Sequence, residues 1–164
     1  MNSKMIFSFL MALAAVQAIF LGAADAATIT VGPGGFDHVS IQAAIDAASP
    51  GDFVVVANGT YYENLVVDKP LFLQAFGDGT DIPIIDAGGL GSAVTLIADG
   101  VVLEGFILQN GGSGQAGIDV RSNENQIRGN LVTDNRWYGI YLEDATGCVI
   151  EENVIWKNKY GIWI

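Results

Sequence analysis

The pair Gly-Ile recurs at Gly117-Ile118, Gly139-Ile140 and Gly161-Ile162, 22 residues apart both times. Each pair opens a short stretch: Gly117-Ile118-Asp119-Val120, Gly139-Ile140-Tyr141-Leu142 and Gly161-Ile162-Trp163-Ile164. A second line runs between them. Asn125 to Asn135 matches Cys148 to Asn158 at an offset of 23. Units this short cannot bury their own apolar side chains, so each must stack on its neighbour, which makes the pattern that of a solenoid.

The period extends upstream. Ala93-Val94 precedes Gly117-Ile118 by 24, Leu103 precedes Ile127 by 24 and Asn110 precedes Asn135 by 25. Apolar runs at Thr28–Val31, Phe53–Ala57, Leu65–Val67, Leu71–Leu73, Ile82–Ile85, Ala93–Ile97, Val101–Leu103 and Phe106–Leu108 read as short strands, with Gly, Pro and Asn between them. Only residues 40–48 read as a helix: Ser40 is an N-cap, Ile41, Ala44, Ile45 and Ala48 share one face, and Pro50-Gly51 stops it. With no helices between the later strands, a doubly wound α/β fold is excluded. A sandwich does not require fixed spacing. The expectation is an all-β chain, a solenoid of about five coils of 22–25 residues of parallel strands, with an N-terminal capping α-helix.

Residues 1–26 differ in kind. Lys4 precedes an uncharged apolar run from Met5 to Gly22, and Ala24-Asp25-Ala26 is a small-x-small cleavage pattern, as in a secretory signal peptide. Residues 27–164 then form one exported domain with no further apolar span. The net charge is −11 and stays so after removal of Lys4 and Asp25, which argues against nucleic-acid partners. One cysteine, Cys148, allows no internal disulfide, so stability must come from stacking. Asn58-Gly59-Thr60 is a turn that also fits the N-glycosylation pattern. Ile164 ends within a strand without a polar cap, and the expectation is that the coil stack continues in a longer chain or against a second copy.

The stretch Gly51-Asp52-Phe53-Val54-Val55-Val56-Ala57-Asn58-Gly59-Thr60-Tyr61-Tyr62-Glu63-Asn64 resembles the first coil of pectin-lyase-like right-handed parallel β-helices. The rhythm of Asn153-Val154 with Asn158 and Tyr160-Gly161-Ile162 is similar to NosD-type proteins, the periplasmic copper-binding-protein-like repeat family. The resemblance covers about residues 28–164. It implies a right-handed parallel β-helix in an exported or cell-surface protein. It does not imply an activity, because the matching residues are those of the repeat.

Aligning coil on coil gives each residue type a role. Asn130 falls over Asn153 and Asn135 over Asn158, where side-chain amides can bond one another and corner carbonyls. Gly117, Gly139 and Gly161 are expected to supply corner backbone angles. Ile118, Ile140 and Ile162 stack inward, as do Val120, Leu142 and Ile164, leaving Asp119, Tyr141 and Trp163 as an outward row. Glu104, Arg128 and Glu151 come into register, Arg121 lies over Glu143, and Asp134 over Lys157; opposite charges there support register.

Polysaccharide lyases, esterases and glycosidases are among the relatives the resemblance implies. The lyases use a basic residue beside a Ca²⁺-holding acidic cluster, and the esterases use facing aspartates. Before the last coil the exported chain offers as cations only Lys69, Arg121, Arg128 and Arg136. Asp119, Glu143 and Asp144 are the carboxylates available for a glycosidase pair. No catalytic residue is assigned. The alternative is the front part of a polysaccharide-active enzyme whose catalytic coils lie further on. Copper requires His, Cys or Met, and His38 and Cys148 fall about four coils apart, with Cys148 pointing inward. Asp78, Asp81 and Asp86 at Asp/Asn-rich corners leave Ca²⁺ open without a motif behind it, and no other cofactor is expected. The remaining chemistry is carbohydrate binding by Asp119, Arg121, Tyr141, Glu143 and Trp163, with Trp137, Tyr138 and Tyr160 near the same corners: rings stack on apolar sugar faces and carboxylates accept hydroxyl protons. The partner is then a polysaccharide or cell-surface glycan, reached by a non-catalytic module.

Overall fold

A computed structural model describes residues 26–77 and 81–164. The leader segment, apart from Ala26, and Asp78 lie outside the described residues. Each coil is a path of three short strands laid on the coil before it, and all pairings are parallel. The first sheet stacks β1 (Thr28–Val31), β2 (Phe53–Val56), β5 (Phe72–Ala75), β8 (Val102–Glu104), β11 (Gln126–Arg128) and β14 (Val149–Glu151). The second stacks β3 (Thr60–Tyr61), β6 (Ile84–Asp86), β9 (Ile107–Gln109), β12 (Leu131–Thr133) and β15 (Val154–Trp156). The third stacks β4 (Leu65–Val67), β7 (Val94–Leu96), β10 (Ala116–Val120), β13 (Tyr138–Leu142) and β16 (Tyr160–Trp163). The first sheet has six strands, so the stack has about six turns rather than the five expected. The register shows why: Thr28 faces Phe53, Phe53 faces Phe72, and Phe72 faces Val102, so the early offsets are 25, 19 and 30 before settling to 24 and 23.

The interior is built of columns. Leu73, Leu103 and Ile127 stack from the first sheet, Ile85, Leu108 and Val132 from the second, and Leu65, Val94, Ile118 and Ile140 from the third. All are fully buried. Burying each such side chain contributes about 1.5–3 kcal/mol.

At the front, α1 (Ile41–Ala47) lies over the first coils and buries Ile41, Ala44 and Ile45. Seven residues are too few for a stable isolated helix, so both ends are held from other coils. The Ser40 side chain accepts from Ala43 N, and the Glu63 carboxylate accepts from Ile41 N, Gln42 N and the Ser40 hydroxyl at 2.9–3.0 Å. Lys69 Nζ donates to Ile45 O at 3.0 Å. An anion at the amino end and a cation at the carboxyl end oppose the helix dipole.

The corners of the later coils repeat one device. A residue with positive φ is followed by an inward asparagine: Glu124 before Asn125, Gly129 before Asn130, Asp134 before Asn135, Glu152 before Asn153, and Lys157 before Asn158. Each Asn Oδ1 accepts from the backbone N–H one coil earlier: Val101, Phe106, Gly111, Asn130 and Asn135 respectively, at 2.8–3.0 Å. The amide groups donate to carbonyls of the previous turn, including Leu103, Leu108, Ile127 and Val132. The asparagine ladders at 130/153 and 135/158 are therefore present, and Asn125 begins a third column in which Cys148 takes the next place, its Sγ 3.9 Å from Asn125 Nδ2.

The three repeat glycines have a different role from the one expected. Gly117, Gly139 and Gly161 lie inside β10, β13 and β16 rather than at positive-φ corners. A Cβ on Gly117 would stand 2.5 Å from Val132 Cγ1 and 2.7 Å from Asn135 Nδ2, and one on Gly139 would stand 2.6 Å from both Gly161 O and Ile155 Cγ2. At Gly117 and Gly139 the constraint is the close approach of the next turn and its ladder, not a dihedral angle; a Cβ on Gly161 would meet nothing within 4 Å.

Candidate functional site

The outer face of the third sheet carries the row Val66, Thr95, Asp119, Tyr141, Trp163 in strict register. The row was legible from the repeat. Its neighbours complete a patch. Tyr138 pairs with Tyr160 three residues earlier on the same strands. Tyr138 stacks on Tyr141 at 5.0 Å and on Tyr160 at 5.5 Å between ring centroids, and Trp163 meets Tyr138 at 5.8 Å and Tyr160 at 5.4 Å. Trp137 closes the end, 5.9 Å from Tyr160, with Lys159 Nζ 3.2 Å from its ring centroid. Five rings therefore form one continuous surface across the last two coils, held by edge and offset contacts and by a cation on a ring face. Trp163 remains 47% exposed.

Beside the rings stands a charged triplet. Arg121 donates to Asp119 Oδ2 from Nε at 3.1 Å and from Nη2 at 2.8 Å, and its Nε is 3.6 Å from Glu143 Oε2. Hydrogen bonding to Asp119, aided by its charge, raises the Arg121 pKa, with Glu143 adding to it. Burial, with Glu143 second, raises the Tyr141 pKa, so its phenol stays protonated and able to donate. Asp119 belongs to the outward row yet is only 4% exposed, because the Arg121 side chain lies across it. Its Oδ1 is buried without a hydrogen-bond partner. The unpartnered carboxylate oxygen has no sequence signal, since covering depends on the rotamer of an arginine two residues on.

All five expected site residues thus meet on one face, together with Tyr138, Tyr160 and Trp137. Of the expected charge ladder, Glu104 pairs with Arg128 at 3.0 Å and Arg121 with Glu143. Asp134 and Lys157 do not pair. Both hold positive φ at a corner; Asp134 accepts from the Thr133 hydroxyl, and Lys157 lies over the Trp156 ring at 4.3 Å. Asp86 is likewise occupied: Oδ1 accepts from Gly88 N, and Oδ2 from Gln109 Nε2 and Asn110 Nδ2. Among the described residues no group of three His, Cys, Asp or Glu side chains converges as a metal site, and no helix is long and apolar enough to cross a membrane. His38 bridges to Val31 on β1, five strand steps from β14 beside Cys148, or about 24 Å at the usual strand spacing.

Residues 84–164 match the family described as the right handed beta helix region. The chain is a right-handed parallel β-helix protein. It is 32% identical over 118 residues to a "Cell surface glycoprotein" of Methanothermus fervidus, an alignment spanning 70% of this chain. It is 30% identical over 106 residues, 61% of this chain, to the "Probable ABC transporter binding protein NosD" of Pseudomonas aeruginosa. It spans only 15% and 24% of the lengths of those relatives. Among solved structures, the pectin methylesterase of Aspergillus niger superimposes with a TM-score of 0.58 at 17% identity, over 86% of this chain and 56% of that one. At that identity the β-helix likeness concerns fold alone.

Proposed function

We propose that this chain is an exported β-helix module that binds carbohydrate, without catalysis, through the outer face of its third sheet. The observation that carries the reading is the contiguous surface of Tyr138, Tyr141, Tyr160, Trp163 and Trp137 abutting the Asp119, Arg121 and Glu143 triplet. Packing of the solenoid requires the inward columns and the asparagine corners, but it places no demand for aromatics on an outer row. Ring faces supply stacking for the apolar faces of pyranose units, while Glu143, whose side chain is 49% exposed, accepts hydroxyl protons. The relatives named as surface glycoprotein and as NosD support an exported setting for such a module.

Charge narrows the ligand class. Arg121 is shared by two carboxylates, so the triplet carries a net negative charge, and the whole chain carries −11. Neutral and amino sugars suit the triplet end of this face, and the net charge of the whole chain disfavours uronate polymers. A glycan array probed with the protein at low ionic strength tests both points. Binding to neutral or amino-sugar chains, abolished in Tyr141→Ala with Trp163→Ala, is the expected outcome. Binding that survives the double substitution, or retention by uronates alone, contradicts the reading.

A further inference from the structure

Asp52 is 7% exposed, and both of its carboxylate oxygens are occupied. Oδ2 accepts from Ser49 N at 2.8 Å. Oδ1 accepts from Ala27 N, also at 2.8 Å. Neither oxygen meets a cation among the ion pairs of the described residues. Among the described residues, Ala27 is the first that the coil stack holds: its carbonyl accepts from Phe53 N at 2.9 Å, and the next residue, Thr28, is already in register with Phe53. Ala27 is also the residue that follows the small-x-small pattern Ala24-Asp25-Ala26, and it is exposed. A cleavage pattern read from side-chain size and the first fold-holding hydrogen bonds of the described residues thus coincide at one peptide bond.

We infer that Asp52 is the receptor for a chain terminus created by processing. Hydrolysis of the amide between Ala26 and Ala27 by a leader peptidase adds one water, leaving a carboxylate on Ala26 and an α-ammonium on Ala27. The existing N–H to Oδ1 contact, charged until then on the acceptor side only, becomes an ion pair, and a buried carboxylate without a cation gains its counter-ion in place. Before cleavage the same nitrogen is a neutral amide donor and supplies no counter-charge to the carboxylate. Removal of the leader therefore tightens a pairing of β1 with β2 that is already formed, and the first strand is held most firmly in the processed chain. This inference rests on the export reading of residues 1–26, and the two parts fail separately in the test.

Expression of the full chain in an exporting host, followed by intact-mass measurement, should give a product beginning at Ala27. A product beginning elsewhere, or no processing, overturns the terminus. The receptor is tested by a cycle of four proteins: chains beginning at Ala27 or at Ala24, each with and without Asp52→Asn. The expected result is a fall in melting temperature of roughly 3–6 °C for Asp52→Asn in the Ala27 form, and at most half of that in the Ala24 form. Equal falls in the two forms overturn the ion pair. Should Asp52→Asn fail to fold in either form, the two wild-type chains decide alone: the Ala27 form melts above the Ala24 form if the terminus is bound, and at or below it if not.

Discussion

The front and rear coils of this molecule share one core and the same positive-φ turns at 100, 105 and 110 as at 124, 129 and 134, and they differ in the side chains that hold those corners. In the rear, positions 125, 130 and 135 are asparagines whose side chains tie each turn to the one before it. One coil earlier, the same positions are Val101, Phe106 and Gly111, whose backbone N–H groups receive those asparagines and whose own side chains, where present, pack inward. Nearer the front, the corner work passes to carboxylates and to a helix: Glu63 holds the start of α1, Asp52 holds Ser49 and Ala27, and Asp86 holds Gly88, Gln109 and Asn110. A repeat is thus legible only where the same solution is used at successive corners. The core itself is equally regular throughout.

The contrast can be broken first at its junction. Phe106→Ala removes the largest fully buried side chain at a corner position and should cost about 3–5 kcal/mol. Asn130→Ala leaves Phe106 N and Leu103 O without their side-chain partners and should cost about 2–3 kcal/mol. Urea unfolding of both variants checks the order; an Asn130 variant as stable as the parent would remove the ladder from the account. Next, Gly139→Ala drives a Cβ to 2.6 Å from backbone and side chain of the following coil and should cost about 1–3 kcal/mol. Gly161→Ala meets nothing within 4 Å and should be nearly neutral in this chain. Comparable losses at the two positions would mean that dihedral freedom, not close approach, selects the glycines.

The smallest effect separates the corners by chemistry. Burial pushes the Asp86 carboxyl up, but hydrogen bonds from Gln109, Gly88 and Asn110 together outweigh it and hold the pKa below the ordinary value. Thr30, through its hydroxyl and backbone, holds Asp37 low as well. A lowered folded-state pKa means that the unfolded chain takes up protons first. The stabilisation is complete above about pH 4, and it is lost as pH falls through the lower folded values. Asparagine amides do not titrate. Amide exchange below pH 4 should therefore open β1, β6 and β9 before β11 and β12; simultaneous opening would contradict the distinction.

The same contrast explains what the sequence disclosed. Gly117, Gly139 and Gly161 announced the coil length and the row Asp119, Tyr141, Trp163, because side chains at a fixed period must stack. The sixth turn was hidden by the uneven front offsets, where loops of different length separate strands that nonetheless pair. The glycines were visible but not their reason, since a sequence does not distinguish a positive φ from a close approach. Charge alternation overstated the ion pairs: Asp134 and Lys157 are one coil apart but turn to Thr133 and Trp156 instead. The aromatic surface was half legible. Tyr141 and Trp163 follow from register, whereas the stacking of Tyr138 between Tyr141 and Tyr160 depends on how two columns lean together.

The central claim is that inward asparagines hold the stack while the outer aromatic row is free to bind. The most direct measurement is a binding isotherm for an array-positive neutral or amino-sugar oligosaccharide, paired with a thermal melt of the same samples, for Asn130→Ala and for Tyr141→Ala with Trp163→Ala. The expected result is a crossover: the asparagine variant melts lower yet binds below its melting temperature, and the aromatic variant melts close to the parent yet no longer binds. An aromatic variant that binds like the parent, or that loses binding only because it has unfolded, would contradict the claim.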